Sequence, residues 1–245
     1  MLRKLVVLGL GSFLLASCGR TLPLISHAHV GHALTTWRDT PDQQGLFVVA
    51  EKEVTIAWQQ AQAAQQTSAT VARKHVAGVI HALDPEHQAT GPGSGYGGIR
   101  ALTGAANHLE FASTSDDASR NIVRGAEAFG KQTAVVVDNL KLAVDVAILA
   151  QKSSDTELSG LTAELEQIIN RSLNGADVDG SGSIGNTTEE FGLMQIRQQL
   201  EEMLARENPP YQPISRRYLL GLVKLPSGRW VYSFEGSRGA SYSRY

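Results

Sequence analysis

Through most of the chain, apolar residues fall three and four positions apart. That spacing gathers them on one face of an α-helix. Between Asp42 and Gln66 the face is Leu46, Val49, Ala50, Val54, Ala57, Trp58 and Ala61. Thr70 to Leu83 repeats the pattern with Val71, Val76, Val79 and Ile80. Asp84-Pro85 stops it, because the residue before a proline avoids helical backbone. The glycine-rich stretch Gly91 to Gly98 reads as a loop, and Ile99 to Ala112 is helical again. His29 to Thr36 predicts a short helix ahead of Pro41. Thr156 to Leu173 and Glu189 to Arg206 predict two more, the second with Leu193, Ile196, Leu200 and Leu204 on its apolar face.

Ser119 to Gln151 carries the clearest pattern. Ile122, Ala126, Phe129, Thr133, Val136, Leu140, Ala143 and Ala147 alternate steps of four and three, the spacing of a heptad seam. Arg124, Lys131, Asp138 and Asp145 repeat every seventh residue on another face and read as a solvated charged stripe rather than a metal site.

Near the end the period changes. Tyr218 to Leu225 and Arg229 to Phe234 flank Pro226-Ser227-Gly228, which predicts a β-hairpin with Trp230, Tyr232 and Phe234 on one face. Gly236 to Tyr245 is polar and reads as a tail. The expected architecture is all-α: a bundle of about five or six helices with a small C-terminal β-hairpin. The bundle is expected over residues 27–206, including an EF-hand-like loop at 177–190, with the hairpin and tail over 207–245.

The first residues stand apart from this pattern. Arg3 and Lys4 precede an apolar run from Leu5 to Leu15, the layout of an export signal. The run is too short to span a bilayer, which takes about 20 apolar residues. Leu15-Ala16-Ser17-Cys18 follows and resembles the lipobox of bacterial lipoprotein signals. The reading is a signal peptide over 1–17 and a lipidated tether over 18–26. Cys18 is the only cysteine, so no intramolecular disulfide is possible, and acylation by fatty chains such as palmitate accounts for the thiol. Several acyl chains hold a protein to a membrane durably, whereas one holds it marginally. The expected location is the cell envelope, with the membrane as partner through the lipid. Gly19, not an aspartate, follows the cysteine, which by resemblance to lipoprotein sorting favours the outer membrane in a bacterium with two membranes.

Charge and motif content narrow the function. The net charge is −2, which makes no electrostatic case for nucleic acid. The Gly91 to Gly98 loop does not follow a strand, so it is not a dinucleotide or phosphate loop. Neither a Gly-x-Ser-x-Gly elbow nor His-Glu-x-x-His occurs, so no enzyme is expected. Cys-x-x-Cys-His is absent, which excludes covalent haem.

The strongest motif is Asp177-Val178-Asp179-Gly180-Ser181-Gly182-Ser183-Ile184. An EF-hand loop takes oxygen ligands at positions 1, 3 and 5, glycine at 6, a backbone carbonyl at 7 and a bidentate glutamate at 12. Asp177, Asp179, Ser181, Gly182 and Ser183 meet the first five demands, and Ile184 supplies an apolar residue after them. Thr188 stands where the glutamate belongs, and Glu189 and Glu190 follow it. Either the loop is expanded and one of those glutamates closes it, or Ca²⁺ is held weakly. The expected affinity is in the extracellular range of about 10⁻⁴ to 10⁻³ M.

Histidines form a second constellation. His27, His29 and His32 are close in sequence, and a helix puts His29 and His32 on one face. His75, His81, His87 and His108 lie on or beside later helices. A site at His29 and His32, joined by Glu51 and by His75 or His108, offers nitrogen and oxygen donors that suit Zn²⁺ or Cu²⁺; Glu53 and Glu110 are further candidate carboxylates. Solvated or core-capping histidines are the plain alternative.

Three stretches together resemble a group of uncharacterised exported bacterial helical-bundle proteins with spaced histidines and an EF-hand-like loop. They are His29-Val30-Gly31-His32 with Asp39-Thr40-Pro41, His75 through His81-Ala82-Leu83-Asp84-Pro85 with a downstream Gly-Tyr-Gly, and the Asp177 loop with Phe191-Gly192-Leu193. The helix starting at Asn121 departs from that group, with Gly125 and Glu127 where the others tend to carry histidine. The resemblance implies a helical, metal-binding exported protein and no established activity. The expected function is therefore a membrane-anchored lipoprotein that binds metal ions. The alternative is a structural or interaction lipoprotein in which calcium only stabilises the fold.

Overall fold

The long heptad seam sets the centre of the molecule. In a computed structural model, which describes residues 24–211, 216–217, 222–224 and 230–232, it becomes one helix of 33 residues, Arg120–Lys152. At the α-helical rise that is about 50 Å. All eight seam residues are buried, while Arg124, Lys131, Asp138 and Asp145 are exposed. Thr133 is the one polar member, and its hydroxyl donates to the Phe129 carbonyl at 2.7 Å. Ser119 caps the helix by accepting from the Ile122 N–H.

Seven α-helices are described: α1 (Ile25–Leu34), α2 (Leu46–Gln65), α3 (Ala69–Leu83), α4 (Gly98–Thr114), α5 (Arg120–Lys152), α6 (Asp155–Asn174) and α7 (Leu193–Ala205). That is one or two more than the five or six expected, and each corresponds to one of the helical segments read from the sequence. The α2 and α5 helices each pack against α3, α4 and α6. Phe47 and Phe129 meet edge-on at 5.6 Å in the middle, and both are among the largest fully buried side chains. On the outside, α1 lies on α4, and α7 lies on α5 and α6. Gly125 lets α7 approach, since a Cβ there would stand 2.3 Å from Met203 Sδ. No described helix is long and apolar enough to cross a membrane.

Three boundaries differ from expectation. The second helix begins at Leu46, not Asp42, because Pro41–Gln43 is a separate 3₁₀ turn. The N-terminal helix begins at Ile25, not His29, so Ile25 and Ser26 belong to the fold and not to a tether. Its reason is tertiary: Leu24 supplies no side-chain cap, and Asp117, from the turn between α4 and α5, accepts from the Ile25 and Ser26 N–H groups. The last helix begins at Leu193, not Glu189, because Thr188–Glu190 is a separate 3₁₀ turn that closes the preceding loop.

Beyond the helices, β1 (Arg216–Arg217), β2 (Leu222–Lys224) and β3 (Trp230–Tyr232) pair antiparallel in that order. Leu222 stands opposite Tyr232, and Lys224 opposite Trp230. The expected turn Pro226-Ser227-Gly228, the polar tail, and the signal segment with Cys18 lie outside the described residues.

Candidate metal centres

Two groups of side chains converge. The first is built by α1 and α4. His29 and His32 share a face of α1, and His108 projects from α4, which α1 covers. One ring nitrogen from each lies within 4.8 Å of the other two. His29 Nδ1 is 3.2 Å from His108 Nδ1, and the two rings stack with centroids 5.5 Å apart. Buried His32 Nδ1 has no hydrogen-bond partner. Such an orphan is costly unless something else meets it.

Aromatic residues wall this cluster. Trp37 packs on His32 at 4.8 Å and on His108 at 4.5 Å, and Phe111 lies 5.5 Å from His29. The backbone of Trp37 is held by its loop: its main-chain N–H donates to the Gln44 carbonyl, and the Thr40 hydroxyl donates to the Trp37 carbonyl. Burial takes the His108 imidazole down to about 4, with the neighbouring His32 and His29 pushing the same way. Burial, helped by His29, also lowers His32. Both rings are therefore neutral at neutral pH, the state that binds metal.

The other candidates are engaged elsewhere. Glu51 forms a two-pronged ion pair with Arg197 and does not reach the histidines. Its pocket is so desolvated that the carboxyl is raised despite the guanidinium. Glu53 is buried beneath the glycine-rich loop, where Oε1 accepts from the Ser94 N–H and hydroxyl. Glu110 is exposed and outside the cluster. His75 lies 2.9 Å from the Gln60 side-chain oxygen, His81 donates to the Gln88 carbonyl, His87 pairs with Asp84, and His27 with Glu207. Among the described residues the cluster is thus three imidazoles with no carboxylate. The Asp42 to Gln66 helix does turn back after Pro41, but it brings Leu46 beside the cluster, not Glu51.

The second group is the Asp177 loop, between α6 and α7. Asp177, Asp179 and Glu190 each place a carboxylate oxygen within 4.8 Å of the others. Asp177 accepts from the Ser181 N–H at 3.0 Å and the Gly182 N–H at 2.8 Å, and Asp179 also accepts from Ser181. Gly182 has φ 83°, the left-handed backbone that the sixth loop position demands. The Ser181 hydroxyl donates to the Ser183 carbonyl at 3.2 Å, and the Asn186 amide reaches both serine hydroxyls.

Of the two late glutamates, only Glu190 turns inward. It is fully buried, whereas Glu189 is exposed and outside the carboxylate group. Glu190 Oε1 accepts from Val178 and Asp179, and Oε2 from Gly185, Asn186 and Thr187. Desolvation raises this carboxyl, but the backbone donors outweigh it and bring it down to about 2. The loop is expanded by two residues, and its closing carboxylate binds the loop's own backbone.

Sequence reasoning missed the surroundings of the histidines: Trp37, Phe111, and Arg100 further along α4. Their signal was the helical spacing of Arg100, Gly104, His108 and Phe111, which share one face. Comparison with family models, with curated proteins and with solved structures gives no match.

Proposed function

We propose that this chain is a cell-envelope lipoprotein, anchored through Cys18, that binds a transition metal at His29, His32 and His108 and Ca²⁺ at the Asp177 loop. The observation that carries the reading is the convergence of three imidazoles from two helices, one of which, His32, has its Nδ1 without a hydrogen-bond partner. An all-nitrogen donor set suits Zn²⁺ or Cu²⁺. Three protein ligands leave a fourth position open, as in zinc sites that take water or a further ligand. At the Asp177 loop, Asp177, Asp179, Ser181, the Ser183 carbonyl and Glu190 supply hard oxygens.

Titration of chelated, desalted protein with Zn²⁺ and Cu²⁺ tests this reading. Wild type binds one equivalent, and the His29→Ala, His32→Ala double variant loses it. Equal binding by both proteins, or by neither, refutes the histidine centre.

A second reading has its own support: a structural lipoprotein in which calcium only stiffens the fold. The five backbone donors on Glu190 favour it, since they wind the loop without an ion. A C-terminal β-hairpin belongs to either reading, and the pairing of Leu222–Lys224 with Trp230–Tyr232 supports it.

A further inference from the structure

We propose that the histidine centre takes its metal together with a small organic dicarboxylate. One carboxylate fills the open coordination position, and the other pairs with Arg100. This deepens the metal reading above and rests on it.

The cavity that would hold the ligand adjoins the cluster. It has a volume of about 430 Å³ and is walled by Trp37, Leu46, Phe111, Asn107, Arg100 and His108. His108 is thus both a cluster member and part of the cavity wall, so a metal on it is reached from the cavity. Trp37 and Phe111 likewise touch both the histidines and the cavity. Gly104 forms part of the lining, and a Cβ there would stand only 3.2 Å from Leu46 Cδ2. Glycine at this position leaves the middle of the cavity open.

The two ends of the cavity differ in chemistry. At one end stand the imidazoles, a donor type that brings no negative charge to a divalent ion. No carboxylate joins them among the described residues. At the other end Arg100 lies over the Tyr96 ring, 4.6 Å from its centre, and no carboxylate pairs with it among the described residues. Arg100 and His108 are eight residues apart on one helix face, which is about 12 Å along the axis. The guanidinium turns back toward Tyr96, ahead of α4, and so covers none of that distance. The span suits a metal–carboxylate contact, a chain of a few carbons and a carboxylate–guanidinium pair laid end to end along the cavity. A guanidinium recognises a carboxylate through two parallel hydrogen bonds. Acetate and other short anions satisfy one end only.

Glutarate is the probe. Protein loaded with Zn²⁺ or Co²⁺ is titrated with glutarate by calorimetry, and the Co²⁺ visible spectrum is followed in parallel. The expected result is that glutarate binds the metal-loaded protein at least about tenfold more tightly than the metal-free protein, about 1.4 kcal/mol. It also shifts the Co²⁺ bands. Arg100→Gln keeps the Co²⁺ affinity and loses about tenfold in glutarate affinity, while acetate binding does not change with Arg100. Glutarate binding that ignores the metal or ignores Arg100 overturns the proposal and leaves the metal reading standing, as does removal of the metal by glutarate. A wild-type protein that develops no Co²⁺ spectrum overturns the metal reading, and this proposal with it.

Discussion

His29 Nδ1 and His108 Nδ1 face each other at 3.2 Å across 79 residues of sequence. At that distance one nitrogen donates its proton and the other accepts, so the two rings cannot both present Nδ1–H. A metal ion that takes both nitrogens replaces that shared proton and ties α1 to α4.

His108→Ala is therefore expected to weaken Zn²⁺ or Cu²⁺ binding as much as the loss of His29 does. His75→Ala is the control, because His75 lies against Gln60 and outside the cluster. Binding should also weaken as pH falls toward 4, where His108 takes up a proton, since imidazole must be unprotonated to ligate. Calorimetry on the two variants decides it: equal losses from His75→Ala and His108→Ala would contradict the cluster.

Calcium and Glu190 should separate in melting experiments. A ligand that binds only the folded chain stabilises it by about 1–3 kcal/mol at a roughly ten- to hundredfold excess over Kd. Wild type should melt higher in millimolar Ca²⁺, and Asp177→Ala should remove that increment. Glu190→Gln should lower the Tm with or without Ca²⁺, because its carboxylate holds the loop backbone. A Glu190→Gln protein that melts like wild type in chelator would show that the carboxylate organises nothing.

Acid should loosen the grip on α1. Glu207 accepts from His27, Ser119 and Asn121, and Asp117 accepts from the first two N–H groups of α1. Burial raises each carboxyl, but these donors prevail and hold both below their ordinary values of 4.5 and 3.8. A depressed carboxylate contributes stability above its unfolded pKa, and that contribution disappears as pH falls through the folded value. Stability to urea should thus decline below about pH 4.5. The Asp117→Asn, Glu207→Gln variant should be less stable at pH 7 and should show a shallower decline. An unchanged slope in that variant would place the acid sensitivity elsewhere.

Anchoring is tested through Cys18. Metabolic labelling with a fatty acid should mark wild type and spare Cys18→Ser, which should be released from membranes or remain an unprocessed precursor. Equal label in both proteins is incompatible with a lipoprotein.

Helices were legible because they are local. The seam from Ile122 to Ala147 repeats at a spacing that one helix alone can bury on one face, and all its members are buried. The turn at Asp177 was legible for the same reason: glycine and aspartate set its backbone within a few residues. Pairings between distant residues carry no such periodicity. Sequence left Glu189 and Glu190 equivalent, and they were separated only when the 3₁₀ turn at Thr188–Glu190 buried one and exposed the other. Glu51 looked as available to the histidines as His108, until α7 brought Arg197 to it. Even the start of α1 was decided from outside, by Asp117, because nothing next to Ile25 caps it. Sequence alone placed His29 and His32 on one face, since two residues three apart on a helix have no other choice. Which third side chain meets them depended on how α1 lies on α4, and that is a matter of packing over 79 residues of intervening chain.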